Sequence, residues 1–556
     1  MKTHKLIGVL FLSLLFTGCD DFLEQEPQGK EASTAYMNTE ENAENAVTSM
    51  YNMLIMVSGG GPDGNWIDTH MESFFGSIAS DDAEKGSENS DLINLTLIAN
   101  YQMAPSNPIV RTYYTHGFWA ISRANYVLDN LIDAPFDEKV KTRMRGEALF
   151  FRAYYYFYLL RHFGGMPLFS SSVKMDDFGN VPRASIAETF DFIINDFKEA
   201  ITLLPDKYPS SQTGKATKGA ARAFLARVMV YRMGIDAENT GTTWQDVYDQ
   251  TSAIINSGQY DLLPNYAELF EEETKNCVES IFELQAKSGT GGVGLFMFWF
   301  VEGNRTPTDG AAYGWGFHNP TQDLVDAFDP TDPRLSCTIY GLGYNRETLY
   351  GITVMHNRSQ QMSAYHNRKT AMPTMPVDWT SGKQWMVIRY ADVLLMHAEA
   401  CYWSGNESEA KTMLNKIRAR ARNSSYCKGY TFGDPQGYPY PTTTPNIPDC
   451  NASGEALYNA ILDERRVELA LENHRTWDLI RTGRLVDRVE LVKDFARDPN
   501  NAKYNTTNSA NLEVRVPGIR SNIIKSSLIG KDGKYIPVMP LPETEVNYWS
   551  LAANPF

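Results

Sequence analysis

Residues 146–169 read GEALFFRAYYYFYLLRHFGGMPLF, and a helix built from them is apolar on every side. Phe150, Phe151, Tyr154, Tyr155, Tyr156, Phe157, Tyr158, Leu159, Leu160 and Phe163 spread round the helical wheel rather than forming one stripe. That is the pattern of a helix enclosed by neighbours. Gly164-Gly165 supplies a left-handed stop and Pro167 cannot continue the helix, so Leu168-Phe169 runs on extended. Each aromatic taken singly is an ordinary core residue, and the tyrosine hydroxyls require partners on adjacent helices.

Working outward, Thr39 starts a helix with Ala43, Ala46, Val47, Met50 and Leu54 at three- and four-residue spacing. Further helical patterns run at about 111–132, 138–163, 186–204, 215–233 and 244–257, then at 384–404, 407–422 and 454–481. Short turns join successive helices, so partners should pack antiparallel. Tetratricopeptide-like pairs have this look, although the unit lengths vary too much for a uniform solenoid. Residues 59–110 and 260–383 differ: they are loop-rich, and Ser280 to Gln285 reads as a strand. The chain closes on an extended, proline-rich run, Tyr535 to Phe556. The fold class is mainly α, a helical-pair scaffold (39–57, 111–258, 384–485) carrying an irregular, minor-β lobe. No low-complexity linker divides the 556 residues, so 39–556 is read as one domain.

A net charge of -16 and a pI near 5.1 argue against a nucleic-acid surface, which needs clustered Lys and Arg. Lys2 and Lys5 precede an apolar run, Leu6 to Phe16, too short to span a bilayer as an ordinary helix. Phe16-Thr17-Gly18-Cys19 resembles a lipobox, with Phe16 where leucine is usual; a plain secretory signal with a chance cysteine is the alternative. Residues 1–18 are then a lipoprotein signal peptide, Cys19 the acylated mature N-terminus, and 19–38 a tether. Two or three acyl chains would anchor the protein stably where one would not. Of the five remaining cysteines none lies in a CxxC, so neither zinc nor thioredoxin-like chemistry is indicated. Cys401 reads as a small hydrophobe in an apolar helix. Cys427 and Cys450 bracket the loop KGYTFGDPQGYPYPTTTPNIPD, where a disulfide worth on the order of 3 kcal/mol is expected in an oxidising compartment.

Nine runs in order carry a family resemblance across nearly the whole chain. They are Cys19-Asp20-Asp21-Phe22-Leu23, Ser80-Asp81-Asp82, the aromatic helix, VPRASIAETFDFIINDFKEAITLLP (181–205) and GKATKGAARAFLARVMVY (214–231). FDPTDPRL (328–335), RYADVLLMHAEA (389–400), ERRVELALENHRTWDLIRTGRL (464–485) and PVMPLPETEVN (537–547) complete the set. The chain resembles the SusD/RagB family of outer-membrane nutrient-binding lipoproteins. It departs at Asn473, where the family often has glycine, and at Thr482, where it often has tryptophan. The resemblance implies a tetratricopeptide-like scaffold that docks a SusC-type TonB-dependent transporter, with a ligand-holding lobe as its lid. It implies capture of a glycan without chemistry, at the outer face of the outer membrane, where Asp20-Asp21 resemble the export signal. Some members bind peptides or other nutrients.

Sugar rings present apolar C–H faces, so exposed loop aromatics suit them. Trp66, Trp299, Tyr313, Trp315 and Tyr344 are the candidate rings, with Trp315 foremost inside Tyr313-Gly314-Trp315-Gly316 and Trp299 equally readable as core. Asn65, Asp81, Asp82, Asn304 and Arg305 are candidate partners for hydroxyls; for the two aspartates, turn formation or helix capping serves as well. Trp119 and Trp477 fall on helices and read as structural. Gly289 to Gly294 fits GxGxxG but no βαβ unit follows, so no dinucleotide cofactor is indicated. HExxH and GxSxG are absent, His397 reads as a satisfied core histidine, and no EF-hand-like spacing supports calcium. A surface glycoside hydrolase is the enzymatic alternative, but adjacent Asp81 and Asp82 cannot flank a scissile bond. Glu464, Glu468 and Glu472 share one helical row and need cations, for which Arg475, Arg418, Arg420 and Arg422 are the candidates, in a structural ion network.

Overall fold

The computed structural model describes residues 36–55, 71–87, 91–174, 177, 179–236, 238, 241–287, 314–341, 346–349, 352–355, 365–371, 382–427, 431–432, 444–489 and 519–554. Helix α1 (Glu40–Asn52) starts on Thr39, whose hydroxyl accepts from the Asn42 amide. Helices α2 (Met71–Ile78) and α3 (Ile93–Ala99) follow, with strand β1 (Ala83–Gly86) between them. The long helices come next: α4 (Pro108–Asn130), α5 (Glu138–Phe163), α6 (Ile186–Leu203), α7 (Lys218–Ile235) and α8 (Trp244–Asn256). Asn107, Asp137, Ser185, Thr217 and Thr243 cap these five, each accepting from a first-turn backbone N–H.

Helix α5 carries the aromatic stretch, and all its large residues named above are buried except the half-buried Tyr154. As α5 ascends, its contacts descend both neighbours. Phe163 meets Tyr114 at 5.5 Å between centroids, and Arg152 Nη1 donates to Asn125 Oδ1 of α4 at 2.9 Å. Against α6, Arg145 pairs with Glu199, Arg152 with Asp196, and Tyr156 with Phe192 at 5.0 Å. Both neighbours are therefore antiparallel to α5, as short connections require. Helix α7 packs on α6, and α8 on α7.

There the chain leaves the stack. It forms β2 (Ser280–Leu284), β3 (Phe317–Pro320), α9 (Gln322–Ala327), α10 (Pro333–Thr338), β4 (Ile339–Tyr340), β5 (Arg346–Leu349), β6 (Ile352–Met355) and β7 (His366–Asn367). It returns through β8 (Trp385–Arg389) to α11 (Tyr390–Trp403) and α12 (Glu407–Asn423), with β9 (Thr431–Phe432) beyond. Helix α11 lies against α8: Thr251 Oγ1 and His397 Nδ1, 146 residues apart in sequence, are 2.8 Å apart in space. The α11–α12 pair thus extends the stack that α8 left open. Helices α13 (Glu455–Glu468), α14 (Arg475–Thr482) and α15 (Ile519–Lys525), the hairpin β10 (Ser527–Ile529) to β11 (Tyr535–Pro537), and α16 (Glu543–Trp549) complete the described chain. Among the described residues the strands pair antiparallel: β1 with β3, β2 with β8, β4 with β7, β5 with both β6 and β9, and β10 with β11.

Several expectations need correction. The helix expected over 384–404 begins as β8, because Trp385-Met386-Val387-Ile388 finds a distant partner strand in β2. The helix expected over 454–481 breaks between α13 and α14, where Leu471 and Asn473 take φ of 61° and 68°. Asparagine tolerates that left-handed conformation. The extended C-terminal run contains α16. Trp477 is core, but Trp119 is 38% exposed. Cys427 and Cys450 are buried free thiols, so the expected disulfide is not formed. Cys427 Sγ lies 3.0 Å from Arg368 Nε in a satellite cluster, while Cys450 packs in the main core. Among the described residues no helix is long and apolar enough to cross a membrane.

Candidate functional site

Asp81, Asp82 and Trp315 are the predicted contact residues that fall on described chain; Asn65, Trp66, Trp299, Asn304, Arg305, Tyr313, Tyr344 and Cys19 lie outside the described residues. Trp315 sits two residues before β3, which pairs with β1. The Ser87 amide donates to the Gly316 carbonyl at 2.6 Å. Gly86 has φ 77°, and a Cβ there would lie 2.5 Å from that same oxygen, so the close approach requires glycine. Held this way, Trp315 is half-buried, part of it against the main core.

Asp81 and Asp82 occupy the turn between α2 and β1 and are 0% and 1% exposed. They are not poised for a ligand. Asp81 Oδ1 accepts from Arg475 Nε at 2.7 Å, and its Oδ2 accepts from Arg475 Nη2 and Arg488 Nε at 2.8 Å each. Asp82 Oδ1 accepts from Arg466 Nε at 2.8 Å. Arg466 and Arg488 reach on to Asp323 in α9, at 2.5 and 2.8 Å. Burial opposes charge on Asp81, but Arg466, Arg475 and Arg488 together hold its carboxyl well below the usual range. Asp82 is raised by its own burial, with Asp81 beside it. The expectation that these aspartates meet hydroxyls is corrected: their arginines clamp the α2–β1 turn and α9 onto α13 and α14.

A second buried network answers the glutamate row. Arg334 Nη1 donates to Glu464 at 2.6 Å and Glu468 at 2.8 Å, while Arg418 Nε holds Glu464 at 2.8 Å. Arg389 contacts Glu468, Glu472 and Glu279 at 2.7, 2.8 and 2.6 Å, Arg420 also pairs with Glu468, and Lys369 Nζ reaches Glu472 at 2.7 Å. Burial disfavours the Glu468 anion, yet Arg420, Arg389 and Arg334 hold its carboxyl far below the usual range. Burial lowers Lys369 to about 8. The expected partners Arg418 and Arg420 are present; Arg475 and Arg422 serve Asp81 and Asp449 instead. Sequence reasoning missed Arg334, Arg389 and Lys369. The readable signal was an arginine set beside apolar runs, in FDPTDPRL and RYADVLLMHAEA.

One cavity of about 90 Å³ lies inside the frame, lined by Tyr154, Phe224, Trp385, Asn473, His474 and Trp477 among others. Small-molecule pockets run to roughly 300–1,000 Å³, so this one is too small for an oligosaccharide. An aromatic group on the scaffold also escaped the sequence reading: Trp403, 49% exposed, stacks on Trp244 at 6.0 Å and meets Tyr458 edge-on at 5.2 Å.

The SusD family matches residues 278–548, and a family described as starch-binding and associating with the outer membrane matches residues 21–230. A SusD-like protein of Formosa agariphila is 26% identical over 90% of this chain and 95% of its own. A laminarin-binding SusD-like protein superposes with a TM-score of 0.66 at 24% identity, covering 93% of this chain and 99% of its own. Surface glycan-binding protein A from Bacteroides thetaiotaomicron, solved with laminarihexaose, gives 0.68 at 18% identity, over 93% and 99%. At these identities the structural likeness establishes the fold.

Proposed function

We propose that this chain, which belongs to the SusD/RagB family, is a cell-surface lipoprotein that captures oligo- or polysaccharide and delivers it to a SusC-type TonB-dependent transporter. Acyl chains on Cys19 hold it at the outer membrane, and residues 19–38 serve as its tether. The observation that carries this reading is Trp315, a half-buried ring held by a glycine-tight strand pair on an ion-locked frame. Such a ring needs no reorganisation to receive the apolar face of a sugar. Trp66, Trp299, Tyr313 and Tyr344, with Asn65, Asn304 and Arg305, complete the proposed binding set; Asp81 and Asp82 are withdrawn from it. The laminarin-bound and starch-binding relatives support a glucan-type ligand.

Affinity gel electrophoresis and calorimetry against laminarin, starch and a broader glycan panel test the reading. Retardation by at least one glycan, with no oligosaccharide released on long incubation, is expected. Released products would establish a glycoside hydrolase instead, and binding to peptides alone would defeat the glycan assignment. Pull-down of a TonB-dependent transporter from the native outer membrane tests delivery, and Cys19→Ala should release the protein from the membrane.

A further inference from the structure

Three donor side chains converge where α8, α11 and α12 meet, away from the strand pair that carries Trp315. His397 and Cys401 are one turn apart on the same face of α11, at i and i+4. Glu409 comes from the first turn of α12, across a short link. One donor atom from each lies within 4.8 Å of the others, and His397 Nε2 is 3.1 Å from Glu409 Oε1. The His397 and Cys401 side chains are buried, while the Glu409 side chain is 30% exposed and gives an ion a way in from solvent.

The surroundings orient these donors. Thr251 Oγ1 lies 2.8 Å from His397 Nδ1, and 2.9 and 3.0 Å from the Val247 and Tyr248 carbonyls. A hydroxyl carries one proton. When Thr251 gives it to a carbonyl, His397 Nδ1–H must supply the other, and the Nε2 lone pair then faces the Glu409 carboxylate. In that tautomer two acceptors face each other at 3.1 Å and call for a metal cation between them; in the other, Nε2–H donates to Glu409 and Thr251 donates to Nδ1. Glu409 is itself fixed, its Oε2 accepting from Asn406 Nδ2 at 2.7 Å. A ligand imidazole whose other nitrogen is hydrogen-bonded, opposite a carboxylate that is hydrogen-bonded in turn, is how metal ligands are usually oriented.

We propose that His397 Nε2, Cys401 Sγ and Glu409 Oε1 form a zinc site that clips α11 to α12 and, through Thr251, to α8. Imidazole, thiolate and carboxylate together suit a borderline-soft tetrahedral ion and not calcium or magnesium, which take oxygen ligands. Bonds of about 2.0–2.3 Å would put the donors roughly 3.3–3.8 Å apart, so small side-chain rotations suffice. Water takes the fourth position. On binding, the Cys401 thiol proton leaves to solvent as the Zn–S bond forms, and no redox change occurs. The role is structural: it pins the pair that completes the stack.

Untagged full-length protein titrated with Co²⁺ should develop a thiolate-to-cobalt absorption band that one equivalent of Zn²⁺ abolishes. Zinc should raise the melting temperature, and a chelator should reverse the gain. Cys401→Ser removes the band. Glu409→Gln, on the solvent side and therefore safe for folding, should weaken zinc at least tenfold, and Thr251→Val roughly 10- to 100-fold. No band at saturating cobalt, or zinc affinity unchanged in Glu409→Gln, overturns the site and leaves Thr251, His397 and Glu409 an ordinary hydrogen-bonded chain.

Discussion

Replacing Asp81 by asparagine separates the two roles that this residue can be given. The substitution preserves shape but removes a charge that accepts from Arg475 twice and from Arg488 once, all at 2.7 to 2.8 Å, with no exposed surface. Removing one partner of a buried ion pair costs about 3–5 kcal/mol because the surviving charge stays buried and uncompensated. Here three guanidiniums lose their shared anion, while Asp82 and Asp323 remain to take part of the load. The lower end, about 3 kcal/mol, is therefore expected. Urea denaturation followed by tryptophan fluorescence near neutral pH reads it directly. A cycle with Arg475→Met should recover part of the loss, with a coupling of about 1–3 kcal/mol. Glycan affinity of the folded Asp81→Asn protein should stay within twofold of the original. If stability falls by less than about 1 kcal/mol while glycan binding disappears, Asp81 is a ligand contact and the clamp reasoning is wrong.

Trp315→Ala should weaken glycan binding at least tenfold, about 1.4 kcal/mol, measured on protein shown to be folded, with a lower melting temperature from the lost packing against the core; unchanged affinity on a glycan the protein binds would remove Trp315 from the site. Acid should destabilise the fold well before carboxylates titrate. Burial lowers His162 and His474 to about 3, against 6.5 in the unfolded chain. Between those values the unfolded chain binds more protons, so stability present above pH 6.5 is lost as pH falls, by about 1.4 kcal/mol per unit and histidine. Urea midpoints at stepped pH measure this; His162→Phe should flatten the slope, and a flat profile from neutrality to the carboxylate range would contradict it. Gly76→Ala should cost about 1–3 kcal/mol by overpacking, because its Cβ would sit 2.3 Å from the Asn473 carbonyl oxygen. Thermal melts decide that, and a neutral result would mean the α13–α14 turn yields easily.

Local chemistry made much of the scaffold readable. The aromatic run of α5 announced an enclosed helix, and Ser185 with Glu188 forms the capping box that starts α6. Fifty or more residues of separation defeated the same reading elsewhere. Strand β8 looked helical because the partner that makes it a strand, β2, lies a hundred residues upstream. The glutamate row of α13 told of missing cations, but two of the three that matter most, Arg334 and Arg389, come from elements whose approach no local periodicity encodes. Asp81-Asp82 misled for a related reason: polar residues in a turn signal surface unless distant arginines arrive to bury them. The glycines beside Trp315 suggested exposure, but Gly316 serves the strand contact with Ser87 and the ring is half-buried against the core.

The clamp on Asp81 joins residues 394 and 407 positions apart. During synthesis the early turn must therefore wait, carrying two adjacent negative charges, until nearly the last helices have emerged. Contacts so distant in sequence are slow to form, and until they do the first strand of the lobe has no seat. A chain ending before Arg475 would be an unfinished molecule instead of a smaller one: Arg466 could still reach Asp82 and Asp323, but the Arg475 and Arg488 arms that hold Asp81 would be missing.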